Sequence, residues 1–211
     1  MRSSLARALI GDADVLGRQE ILEIGSHMEG HPDNVAPAVF GGATVSWMNE
    51  ETSEVGSVRL TPPEGINPVA FIPDFELRTA AARAALPATV PHGDASFNVA
   101  RGALLAAVLS GGAQVSGGAD LHALLMEATR DRLHQEQRRA AMEPSLALVD
   151  WLRGAGFAAV VSGAGPTVLS LEKVGADIRR DAAGAGWRVV PLAVAASGVQ
   201  LTRGSLAKVE F

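Results

Sequence analysis

No cysteine occurs in the 211 residues, so disulfides, a cysteine nucleophile and thiolate metal sites are excluded, and any metal work falls to histidines and carboxylates. The same absence fits a reducing compartment. A long basic run is also missing. Lys and Arg number 18 against 23 Asp and Glu, a formal net charge of -5, which disfavours nucleic acid as a partner. The longest apolar stretch, around Gly102 to Leu109, is far short of the roughly 20 residues a membrane span needs. Met1-Arg2-Ser3-Ser4-Leu5-Ala6-Arg7 has a small basic start but not the apolar region of a signal peptide. The expectation is a soluble, cytoplasmic protein with no membrane partner. Internal repeats and low-complexity linkers are lacking too. Apolar residues are abundant: 47% hydrophobic content suffices for one large domain or two small ones.

Periodicity gives an outline. Leu5 to Ile10 reads as the tail of a helix, broken by Gly11-Asp12-Ala13-Asp14, and helical spacing resumes over Arg18 to Met28. Ala43 to Met48 and Val55 to Leu60 read as a hairpin, and Pro68 to Pro73 as a third strand. Helices are expected at Thr79 to Leu86, Asp94 to Leu109, Asp120 to Arg139 and Ser145 to Gly154. Strands return at Phe157 to Val161, Thr167 to Leu171 and Trp187 to Leu192, with a helix at Asp177 to Ala183. This order argues an α+β arrangement with helices on one sheet face.

Polar groups concentrate in Glu29-Gly30-His31-Pro32-Asp33-Asn34-Val35, followed by a short apolar turn ending at Gly41-Gly42. Gly30 and Pro32 interrupt one helix, Asp33 or Asn34 can cap the next, and the glycine pair can end it. A carboxylate, an imidazole, an acid and an amide on backbone held by proline and glycine suit a preorganised site. Capping alone is the competing explanation of Asp33. Ser162-Gly163-Ala164-Gly165-Pro166-Thr167 is either a tight hairpin turn or an anion cradle built of backbone amides. Arg83 and Arg138 are either solvated surface charges or a pair that grips a carboxylate or phosphate. Asn98 and Arg101 share a helix face and read as structural, and His134 as a core-edge histidine satisfied by a carbonyl.

As an ordered set these stretches resemble a known family. Glu29 to Asn34 is similar to the Glu-Gly-His-Pro-Asp-Asn segment of homoserine kinases, members of the GHMP small-molecule kinase superfamily. Ile72-Pro73-Asp74-Phe75-Glu76-Leu77 with Thr79 to Pro87, Phe97 to Arg101, Leu133-His134-Gln135 with Arg138, and Ser162 to Thr167 follow in the family's order. The wording is most similar to the actinobacterial branch. The resemblance implies the C-terminal portion of a GHMP kinase fold, with 1–66 as the remainder of the N-terminal domain and 67–211 as the C-terminal domain.

The activity so implied is transfer of the γ-phosphoryl of MgATP to the hydroxyl of L-homoserine in threonine biosynthesis, with ATP and Mg²⁺ as cofactors. By the same resemblance Glu29 is the Mg²⁺ ligand, with Glu23 as its rival. Asp33 and Asn34 stand beside the acceptor, with His31 on the same wall, and Asp33 is a positioning residue first and a base second. Arg83 and Arg138 hold the homoserine carboxylate, and Gly163 and Gly165 offer amides near the transferred phosphate. The superfamily's Pro-x-x-x-Gly-Leu-Gly-Ser-Ser-Ala phosphate loop is not found in this chain. By the resemblance about a third of a homoserine kinase, with most of its nucleotide contacts, is missing, which leaves open whether the chain as given is active. The missing loop also leaves two other readings open, another GHMP kinase such as a mevalonate kinase, or a non-catalytic binding piece. Open strand edges predict self-association, and a homodimer is compatible with the sequence.

Overall fold

The computed structural model describes residues 17–112 and 117–200. The helix tail expected at Leu5 to Ile10 lies outside them. The chain divides into two compact units, Met1–Leu60 with Ala195–Phe211, and Thr61–Val194. They differ from the sequence domains 1–66 and 67–211 in that the segment that starts at Ala195 belongs with the first. Among the described residues no helix is long and apolar enough to cross a membrane.

In the first unit, helix α1 (Arg18–Glu29) starts where Glu20 accepts the Gly17 N–H at 2.9 Å, and stops at Gly30, whose φ of 81° is left-handed. Helix α2 (Val35–Phe40) follows at once and ends at Gly41. The two helices approach closely because Gly25 has no side chain: a Cβ there would sit 2.7 Å from Val35 Cγ1. Leu22, Ala36 and Val55 form the buried centre, with Val35, Phe40 and Met48 around it. Strands β1 (Ala43–Met48) and β2 (Val55–Leu60) pair antiparallel from Ala43 opposite Leu60 to Met48 opposite Val55, the hairpin expected. Val45, Trp47 and Val58 remain about half exposed on this hairpin, an apolar face unusual in water. The segment after Val194 comes back to α2: the Gly42 N–H donates to Ala195 O, Arg59 to Ala196 O, and Val199 N–H to Ala38 O.

The second unit holds a four-stranded antiparallel sheet in the order β4-β5-β3-β6, with β3 at Val69–Ile72, β4 at Ala159–Val161, β5 at Val168–Ser170 and β6 at Arg188–Pro191. Among the described residues of this unit there are six helical segments. They are α3 (Thr79–Ala84), α4 (His92–Leu109), α5 (Leu121–Ala128), a 3-10 segment at Glu136–Ala141, α6 (Glu143–Gly154) and α7 (Ala176–Gly184). The main core joins Val69, Phe71, Val161 and Val168 of the sheet to Leu146, Val149 and Leu152 of α6 and Ala182 of α7. Helices α4 and α5 close a second cluster around Val108, Leu125 and Ala158.

One expected helix is corrected. Asp120 to Arg139 is not continuous: α5 ends at Ala128, and a turn precedes the 3-10 segment. The cause is Asp131, whose carboxylate accepts the N–H groups of Leu133, His134 and Gln135 at 3.2, 2.9 and 2.7 Å. An aspartate that binds the backbone just beyond itself offers those amides an alternative to helical carbonyls.

Candidate active site

The polar stretch of the first unit stands at the junction of α1 and α2. Glu29 occupies the last turn of α1 and is exposed, without a partner among the described residues. Glu23 is half-buried, and its carboxylate accepts from Gln19 Nε2 at 3.0 Å within the same helix. His31 is half-buried, and its Nδ1 lies 2.5 Å from Asp33 Oδ1 at an angle outside the hydrogen-bond range. Asp33 Oδ1 also accepts the Asn34 N–H at 3.0 Å. Neither Asp33 nor Asn34 caps α2 with its side chain: Asn34 holds the N-cap position in helical conformation with no side-chain bond, and the first turn closes by Ala36 N–H on Pro32 O at 2.8 Å. Capping therefore does not explain these two exposed side chains.

In the second unit, Arg138 is the informative residue. It is only 9% exposed, and its Nε–H donates to Ala82 O at 3.2 Å and its Nη1–H to Gly163 O at 3.1 Å. Ala82 O is one of the carbonyls that the end of α3 leaves without an intrahelical partner. No carboxylate among the described residues pairs with Arg138. Arg83, one residue beyond Ala82 on α3, is exposed and likewise unpaired among them. The structure thus ties Arg138 to α3 and to the glycine turn together, which no local pattern foretold.

Ser162 to Thr167 joins β4 to β5 as a hairpin, closed by Ser162 N–H on Thr167 O at 2.8 Å, with a cis Gly165-Pro166 bond. Gly163 and Gly165 both take positive φ, 58° and 86°. Their amides differ. Gly165 N–H is spent on Ser162 O at 2.9 Å, whereas Gly163 N–H has no partner among the described residues and the space above its Cα is open. Turn and cradle are therefore compatible readings, with Gly163 as the exposed donor. Beside the turn, a cavity of about 430 Å³ is lined by Ile72 to Arg78 with Pro166 and Thr167.

His134 is corrected: it is exposed, and its Nδ1 meets Asp131 Oδ1 at 3.1 Å, not a backbone carbonyl. Asn98 is structural as expected, its amide donating to Asp131 Oδ1 at 2.6 Å and accepting the Arg132 N–H at 2.9 Å. Asp131 was not singled out from the sequence, and Gln135 stood only within the Leu133-His134-Gln135 stretch, with no role of its own. An aspartate inside an otherwise helical run was the available signal. Burial pushes the Asp131 carboxyl up, but the Gln135 N–H, the Asn98 amide and the His134 N–H and ring outweigh it and bring the pKa down to about 2. A carboxylate whose pKa is depressed on folding contributes stability that is whole above its unfolded pKa of 3.8 and drains away as pH falls through about 2. That contribution is about 2 kcal/mol. Urea titrations of Asp131→Asn and the parent chain should converge between about pH 4 and pH 2; a constant gap across that window would remove Asp131 as its source.

The family model for the C-terminal domain of GHMP kinases matches residues 104–183. A homoserine kinase of Streptomyces avermitilis is 43% identical over 198 residues, covering 93% of this chain and 61% of the relative. One from Streptomyces coelicolor is 44% identical over 184 residues, covering 86% and 56%. The crystal structure of a homoserine kinase from Cytophaga hutchinsonii superposes with a TM-score of 0.72 at 20% identity, covering 92% of this chain and 62% of that one, and at that identity shows the fold. The chain thus spans about three fifths of the length of the curated relatives it matches. It is an α+β chain whose residues 104–183 match the C-terminal domain of the GHMP kinases and which is similar over most of its length to homoserine kinases.

Proposed function

We propose that the chain carries the acceptor side of a homoserine kinase, which transfers the γ-phosphoryl of MgATP to the side-chain hydroxyl of L-homoserine and yields O-phospho-L-homoserine. One observation supports this above the others: Arg138 is a nearly buried cation held by two carbonyls with no carboxylate partner among the described residues. An ion withdrawn from water is costly unless an anion meets it, and the guanidinium fork matches a carboxylate. A substrate carboxylate supplies that anion, with Arg83 as the second, more exposed cation.

The other roles follow from what each group can offer. Asp33 and Asn34, both exposed, stand with the half-buried His31 at one helix junction and can orient the acceptor hydroxyl, and Asp33 can also take its proton. The free amide of Gly163 suits an anionic phosphate oxygen. Glu29 fits a magnesium ion as one hard carboxylate oxygen of a set completed by phosphates and water. Among the described residues no three carboxylates or histidines could hold a metal by themselves. When bound, that ion neutralises charge on the phosphates; the chain's own part is positioning, the larger share of such catalysis.

The test is calorimetric titration of the chain with L-homoserine, mevalonate and galactose, followed by a phosphotransfer assay with MgATP. L-Homoserine should bind saturably while the other two do not, and phosphate should appear on its hydroxyl where the nucleotide side of the kinase is also present. Preference for mevalonate or the sugar would move the chain to another GHMP activity; homoserine binding without transfer would leave it a binding piece.

A further inference from the structure

We infer that Asp131, braced by Asn98, is a positioning residue that sets Arg138 and the glycine turn in register with each other. The turn between α5 and the 3-10 segment has no regular backbone ladder, so its shape depends on side chains. Asp131 gathers three successive amides of that turn on its two oxygens, those of Leu133, His134 and Gln135. It is only 14% exposed, so few waters compete for those amides. Gln135, ordered in this way, faces two directions. Its side-chain Oε1 accepts the Val161 N–H at 2.7 Å, one residue before the Ser162 to Thr167 turn begins. Its backbone O accepts the Arg138 N–H at 3.0 Å, which starts the 3-10 segment.

Arg138 then closes the circuit by donating to Gly163 O inside the turn. One carboxylate therefore governs both ends of the arrangement, through Gln135. A second brace fixes the same turn to α4. The Phe97 ring carries the guanidinium groups of Arg101 and Arg132 at 4.0 and 3.9 Å, and that of Arg130 at 5.3 Å. Arg132 also reaches Asp94 at 3.3 Å, and Glu127 pairs with Arg101 and Arg130. The role assigned to Asp131 is to act through Arg138, not to touch the ligand. Only the ligand's identity rests on the function proposed above; the link itself is a matter of geometry.

Asp131→Asn and Gln135→Met, compared with the parent chain, test it by NMR exchange of the Arg138 Nε–H and the Val161 amide and by L-homoserine titration. In both variants the Val161 amide should exchange about tenfold faster or more, as loss of one hydrogen bond implies. The Arg138 Nε–H should do the same in Asp131→Asn, where L-homoserine Kd should rise about tenfold, while the amides of the β3–β6 ladder stay as in the parent. Unchanged exchange at both positions would overturn the inference, and so would a uniform acceleration across the sheet, which marks ordinary destabilisation. Should the parent chain not bind L-homoserine, the function fails while the exchange rates still decide the link. Should Asp131→Asn not fold, the Val161 amide in Gln135→Met decides it.

Discussion

Replacing Arg138 by alanine is expected to weaken L-homoserine binding by about 2–5 kcal/mol, the usual cost of removing one partner of a buried, hydrogen-bonded charge pair. In affinity this is roughly 30-fold to several thousand-fold. The residue is 9% exposed and already fixed by Ala82 O and Gly163 O, so little side-chain entropy remains to be lost when a carboxylate arrives. The same two bonds mean that alanine also frees two carbonyls and loosens α3 from the glycine turn. Arg138→Lys separates these effects: it keeps the charge but cannot serve both carbonyls and a carboxylate in the plane of a fork. Titration calorimetry on both variants, with a cooperative melt as the check on folding, should find Lys intermediate. An unchanged Kd in Arg138→Ala would remove this arginine from the site.

Gly165→Ala should destabilise the chain by about 2–4 kcal/mol, whereas Gly163→Ala should cost about 1–2 kcal/mol at most. Both positions have positive φ, so both carry the left-handed penalty. Only Gly165 is crowded: a Cβ there would lie 2.8 Å from Met142 Sδ, 2.9 Å from its Cε and 3.0 Å from Val161 Cγ1, with Met142 only 1% exposed in the main core. The Met142 end is adaptable but has little room to move. At Gly163 nothing lies within 4 Å, so a methyl group enters the open space beside the free amide. The functional order is therefore reversed: in a kinase that also has its nucleotide side, Gly163→Ala should impair phosphotransfer more than its stability loss explains. Urea denaturation set against activity reads both, and equal midpoints for the two variants would show that the Met142 contact relaxes freely.

Much of the fold was legible because its signals are local. The hairpin of Ala43–Met48 and Val55–Leu60 has the bounds its two strand-like runs suggested, and Arg18–Glu29 follows its helical spacing up to Gly30. The 3-10 break after Ala128 was not legible, since Thr129 to Arg139 remains compatible with a helix until Asp131 is seen to take the amides of its own successors. Asp33 shows the opposite error risk: its position suits a cap, yet its carboxylate meets His31 and the Asn34 N–H and leaves the helix uncapped by side chains.

What the sequence by itself determined is the set of strands, the helices other than the one broken after Ala128, the glycine turn, and the family wording of Glu29 to Asn34 and of Leu133 to Arg138, because period, turn chemistry and motif are written within a few neighbouring residues. Only the tertiary structure decided that Arg138 is a buried cation and not a solvated one, that Gly163 keeps its amide free while Gly165 spends its own, and that Gln135 reaches Val161. The physical reason is distance along the chain. Arg138 finds its carbonyl 56 residues away in Ala82 and Gln135 its amide 26 residues away in Val161, and burial at such places depends on packing that no window of sequence contains.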